Sequence, residues 1–167
     1  MKEIQLTQGQ VALVDDEDYE WLNQWQWQAD KSNDTYYAIR SSKKTDGDYD
    51  YKKRRKIKMH RVILGLSDPS IEGDHIDHNG LNNQRQNLRP STPQQNRCNS
   101  SKRKNYTSKY KGVSWYNKTK KWKAQIQANK KKLGLGYFWH EEEAAREYDK
   151  KAKELHGEYA NLNFPYE

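Results

Sequence analysis

At 167 residues, with hydrophobic and charged residues each at 32%, the chain has room for one or two small domains with modest cores, and its six Trp and twelve Tyr exclude wholesale disorder. Its single cysteine, Cys98, excludes a disulfide framework or an all-cysteine zinc site, and no apolar run is long enough to span a membrane. The net charge of +8 is segregated: residues 51–139 hold 22 Lys and Arg against 4 Asp and Glu, whereas residues 1–50 hold 5 against 11 and residues 140–167 hold 4 against 8. Merely solubilising charge does not segregate this way, so a polyanion such as DNA or RNA is the expected partner. The segment Met1 to Leu6 lacks the apolar stretch of a secretory signal, and a soluble, cytoplasmic protein is expected.

In chain order, Ile4–Thr7 and Gln10–Val14 read as a strand pair turning at Gly9. Asp15 or Asp16 can cap a short helix with Tyr19, Leu22 and Trp25 at helical spacing. Trp27 to Ala29 and Tyr36 to Ser41 suit further strands, and Lys43 to Lys56 a loop. Ile57 to Met59 suits a strand, followed by a short helix from His60 that Gly65 ends. His60, among Met59, Val62 and Ile63, reads as a packing histidine that can lie near the site. The order from there to Asn99 is strand, loop, strand, helix, with Thr92-Pro93 opening the helix.

Asp74 is one of four acidic residues in this strongly basic stretch. A carboxylate on a phosphate-seeking surface opposes binding unless a cation intervenes, and hard divalent ions such as Mg²⁺ prefer oxygen ligands. His75 follows directly and can serve as a general base near neutral pH. Charge neutralisation and an activated water are what phosphodiester hydrolysis requires. Neighbours on a regular strand face opposite ways, so the pair is expected at a strand end.

Asp74-His75, Asn79 to Asn83, Asn87-Leu88-Arg89, Thr92 and Asn96 together resemble the HNH motif of phage homing endonucleases. Eleven residues separate His75 from Asn87 and eight separate Asn87 from Asn96, which stands where other members carry His. The resemblance implies a ββα-metal core in which Asp74 and Asn96 bind one divalent ion, Mg²⁺ or Mn²⁺. His75 would activate the attacking water, and Asn87 would tie the intervening loop and orient His75. Cleavage would leave 5′-phosphate and 3′-hydroxyl ends.

Arg97 to Lys109, basic and rich in Ser and Asn, reads as a linker. Beyond it, Gly112–Tyr116, Lys121–Ala128 and Lys132–Phe138 read as three strands, and Glu141–Leu155 as a helix with inner face Ala144, Tyr148, Ala152 and Leu155. Trp122, Ala124 and Ile126 share one strand face, and Lys123, Gln125 and Gln127 the other. Tyr110 to Val113, Lys121 to Ile126, Leu135 to Phe138, Glu142 to Asp149 and Asn161 to Phe164 resemble the APETALA2-type DNA-binding domain. That resemblance implies a sheet laid in the major groove of double-stranded DNA, with Lys111, Ser114, Tyr116, Lys123, Gln125, Gln127 and Lys132 facing outward.

The expectation is an α+β protein with a mixed scaffold (1–55), a ββα-metal HNH core (56–99), a basic linker (100–109) and a three-stranded antiparallel sheet packed on one helix (110–167). It would act as a monomeric, strand-nicking, homing-type DNA endonuclease. Two rivals use the same features: a sequence-specific DNA-binding regulator with an inactive nuclease core, and an RNA-binding accessory protein.

Overall fold

The computed structural model describes residues 1–32, 35–43, 55–100, 107–128 and 131–165, as two compact units, Met1–Pro93 and Gln94–Glu167. In the first unit, β1 (Lys2–Gln5) and β2 (Val11–Val14) pair antiparallel, with Ile4 opposite Ala12, and Gln8 and Gly9 turn the chain at positive φ. α1 (Asp16–Asn23) carries Asp16, Glu17 and Asp18 in its first turn, where the helix dipole favours carboxylates. Asp15 precedes it without capping it. Its carboxylate accepts instead from the backbone N–H of Arg85 at 2.7 Å and from Gln84 Nε2 at 3.3 Å. A distant anchor has displaced the local cap. Trp25, expected on the helical stripe, lies past the helix end but still packs on the core.

β3 (Gln28–Ser32), β4 (Thr35–Ser41) and β5 (Lys56–Lys58) form an antiparallel sheet in that order. Most of the expected loop before β5, residues 44–54, lies outside the described residues. Met59 opens α2 (Met59–Ile63) rather than ending the strand, and it is fully buried. β6 (Glu72–His75) then pairs antiparallel with β7 (Leu88–Ser91), and α3 (Pro93–Asn99) follows. Ile4, Val14 and Leu22 share one hydrophobic core with Met59, Ile63 and Leu88, so the amino-terminal segment and the β6–β7 pair fold around the same interior.

In the second unit, β8 (Val113–Tyr116), β9 (Lys121–Ala128) and β10 (Lys131–Phe138) form an antiparallel sheet with β9 central. α4 (Glu141–His156) packs on one face of this sheet. Ala144, Ala145 and Ala152 are fully buried, small enough to let the helix lie close, and Tyr148 fills the space beside Ile126. Leu155, expected on the inner face, is 37% exposed. Asp149 is buried instead, because its carboxylate accepts from the backbone N–H groups of Asn163 and Phe164 at 2.9 and 2.8 Å. Arg97–Asn99, expected in the linker, continue α3, and residues 101–106 lie outside the described residues. No helix among the described residues is long and apolar enough to cross a membrane.

Candidate active site

The β6–β7 register places Asp74 opposite Arg89 and His75 opposite Leu88. His75 is the last residue of β6, the strand end expected from the sequence, and the chain turns immediately after it. Both side chains are buried, Asp74 to 4% exposure and His75 to 6%. Arg89 Nε donates to Asp74 Oδ2 at 2.9 Å, which compensates a carboxylate that burial would otherwise penalise heavily.

Burial holds the His75 imidazole below the usual histidine value. The Asn83 side chain and the charges of Asp77 and Asp74 pull the other way without reversing the direction. His75 is therefore neutral at neutral pH, the form that can accept a proton.

The loop after His75 is held from within. Asn87 Nδ2 donates to Asp77 Oδ1 at 2.9 Å and to the Asn82 carbonyl at 2.8 Å, while Asn87 Oδ1 accepts from the Asp77 N–H at 3.0 Å. The Asp77 carboxylate also accepts from the Asn79 N–H and from Asn82 Nδ2, both at 2.8 Å. The sequence pointed to Asn87 and passed over Asp77 and Asn83. For Asp77 the signal was present, since an Asp two residues before an N–H commonly closes a local side-chain turn.

The acidic first segment forms the back of this loop, a role its sequence did not suggest. Leu13 N–H donates to the Leu81 carbonyl at 2.9 Å, and Asn83 N–H to the Leu13 carbonyl at 2.8 Å. Arg85 forks onto Asp18, itself only 1% exposed, through Nε at 2.8 Å and Nη2 at 2.6 Å. Asp15, Glu17 and Asp18 of the first segment are thus engaged in holding the loop.

His60, on α2, is 3% exposed, and its ring centroid lies 4.9 Å from that of His75. Burial, with the nearby His75, Lys58 and Arg61, pushes its pKa down to about 2. In the unfolded chain the same group binds a proton below about 6.5. Stability is therefore complete above that pH and is lost as pH falls, by about 1.4 kcal/mol per pH unit for one such histidine. Urea unfolding at pH 7 and pH 5 should show this loss, and His60→Phe should reduce it, leaving the contribution of the buried His75.

Among the described residues no group of three or more His, Cys, Asp or Glu side chains is placed to hold a metal ion. A zinc cage does not fit. Mg²⁺ or Mn²⁺ does, because these ions take one or two carboxylates and complete their shells with substrate oxygens and water, and Asp74 beside His75 supplies that donor type. Asn96 is half-buried on α3 and belongs to the second unit.

In the second unit, the sheet face turned away from α4 carries Ser114 and Tyr116 on β8, Lys123, Gln125 and Gln127 on β9, and Lys132 on β10. Gln127 is exposed and pairs in register with exposed Lys132. Tyr137, 47% exposed, joins this face and stacks against Tyr116 at 5.2 Å. Simple alternation from Lys132 sends Tyr137 to the other side, but a bulge between Gly134 and Gly136 reverses the parity. The cue was the pair of glycines.

Lys111 corrects the outward-facing set. Its Nζ donates to the carbonyls of Cys98 and Ser100, both at 2.6 Å, and burial pushes its pKa down to about 8. Those carbonyls lie at the end of α3, where a cation caps a helix favourably. Lys111→Met is expected to cost about 1–3 kcal/mol of stability. A phosphate-binding lysine would instead set part of the salt dependence of DNA binding, so that slope should stay unchanged when measured.

No family model matches the chain. It is 33% identical over 109 residues to protein 3.8 of Escherichia phage T7, covering 65% of this chain and 89% of that protein. The chain belongs to the family of that phage protein. It is also similar to an uncharacterized HNH endonuclease of Acanthamoeba polyphaga mimivirus, at 39% identity over 113 residues and 65% of this chain. It spans 58% of the mimivirus protein's length. The mimivirus protein bears the name of the nuclease class that the sequence motif resembles.

Proposed function

We propose that the protein is a divalent-metal-dependent DNA endonuclease that nicks one strand and leaves 5′-phosphate and 3′-hydroxyl ends. The observation that carries this reading is the pairing of a buried carboxylate, Asp74, with an adjacent buried and neutral imidazole, His75, at the end of β6. The similarity to an HNH endonuclease supports it.

A Mg²⁺ or Mn²⁺ ion held by Asp74 would neutralise charge at the scissile phosphate and the leaving oxygen. Asn96 keeps the place of second ligand that the sequence resemblance implies. His75 accepts the proton of the attacking water, and Asn87 keeps the loop in the conformation that presents His75. The outer sheet face of the second unit binds duplex DNA through Ser114, Tyr116, Lys123, Gln125, Gln127 and Lys132. A monomer with one such centre cuts one strand at a time.

The test is conversion of supercoiled plasmid to open circles with Mg²⁺ or Mn²⁺, comparing wild type with His75→Ala. Equal activity in the two proteins sinks the enzyme reading. A second reading has its own support: the Arg89 guanidinium stands against the Asp74 carboxylate, as in a site that binds DNA without cutting it. Tight duplex binding with no metal-stimulated nicking favours that regulator-like role.

A further inference from the structure

We propose that His60, backed by Tyr37, is a positioning residue for His75, holding the imidazole of the base in its working orientation. This rests on the reading of His75 as the base.

Three rings from three elements meet here. The His60 and His75 rings stand edge to face, 4.9 Å apart with an 86° interplanar angle. Tyr37, from β4, lies 5.7 Å from His75 and 5.8 Å from His60. The backbone is shaped to receive them. A Cβ on Gly73 would fall 2.5 Å from His60 Cδ2, so β6 approaches the imidazole as closely as only glycine allows. A Cβ on Gly80 would meet the Tyr36 carbonyl oxygen first and would fall 2.7 Å from Tyr37 Cδ1, so the loop beyond His75 closes on the β4 backbone and on the tyrosine ring together.

Simple core packing does not account for the choice of residue. His60 keeps Nδ1 buried without a hydrogen-bond partner among the described residues, a cost that an aliphatic residue such as leucine would avoid. What it gains is contact with His75. Aromatic edges favour aromatic faces, and rings on two sides restrict rotation of the imidazole. A general base needs that restriction, because displacement by about 1 Å can cost on the order of 100-fold in rate.

The experiment uses the full chain, supercoiled plasmid and Mg²⁺ under single-turnover conditions, with DNA affinity measured separately. His60→Ala is expected to slow cleavage at saturation by about 10- to 100-fold, with affinity held within about twofold. His60→Phe keeps a ring in place and should recover most of the rate. Gly73→Ala should slow cleavage although both histidines remain, because the added methyl displaces the His60 ring. In parallel, the ring-proton resonances of His75 should shift in His60→Ala and in Gly73→Ala.

A folded His60→Ala protein that cleaves at the wild-type rate overturns the proposal, as does His60→Phe as slow as His60→Ala. If His60→Ala fails to fold, Gly73→Ala at the wild-type rate overturns it. Loss of the base reading is a separate result, seen when His75→Ala matches wild type. In that case unchanged His75 resonances in Gly73→Ala still decide against the positioning contact, and shifted ones support it.

Discussion

Replacing His75 with alanine is expected to reduce metal-stimulated nicking by about 10²- to 10⁴-fold, the range in which a positioned base contributes. DNA affinity should change little, because His75 is buried at the end of β6 and is not among the residues proposed to hold the duplex. The effect should therefore fall on the rate at saturation rather than on the DNA concentration needed to reach it. The pH profile gives an independent check. A base acts when deprotonated, and burial holds His75 below the usual histidine value. Wild-type activity should be lost on acidification through a midpoint below the usual histidine value. A midpoint at or above the usual value would contradict the neutral, buried imidazole. Added imidazole should partly restore His75→Ala, since the substitution empties a ring-sized space next to Asp74.

The parts of this site that were legible in the sequence are those governed by local chemistry. Asp74 and His75 stood out as an acid and an imidazole in a basic stretch, and their neighbouring positions required a strand end, which β6 provides. The second unit was legible for a related reason: strict alternation in Trp122 to Gln127 and the helical spacing of Ala144, Tyr148 and Ala152 each fit one period. What stayed hidden depended on partners distant in sequence. Asp15 looks like a helix cap until Arg85 and Gln84, about 70 residues away, claim its carboxylate. Lys111 looks like a phosphate contact until the end of α3 presents two carbonyls to it. Tyr137 was missed because one extra residue in a bulge reverses every later side chain on the strand. The role of the acidic first segment was hidden for the same reason, since Leu13, Asp15 and Asp18 gain their meaning only when residues 81–85 fold back against them.

The Asp74–Arg89 pair offers the second large effect, and it separates the metal's role from the fold's. Asp74→Ala should abolish metal-stimulated cleavage and also destabilise the protein by about 3–5 kcal/mol, the cost of leaving a buried charge without its counterion. That double loss is ambiguous taken by itself. Arg89→Met resolves it, because it removes the guanidinium and leaves the carboxylate in place at 4% exposure. The metal-free variant should unfold more easily than wild type. If Asp74 is a metal ligand, Mg²⁺ or Mn²⁺ should then replace the lost positive charge, and the variant should bind the ion more tightly because arginine no longer competes for the same oxygens. Binding to the folded state raises stability with the logarithm of ligand concentration, by about 2.7 kcal/mol at a hundred times the dissociation constant. The upward shift in melting temperature on adding the ion should therefore be larger in Arg89→Met than in wild type, and absent in Asp74→Ala. Equal shifts in all three proteins would place the ion elsewhere. Asp74 would then be the structural partner of Arg89, and the DNA-binding, non-cutting role would gain ground.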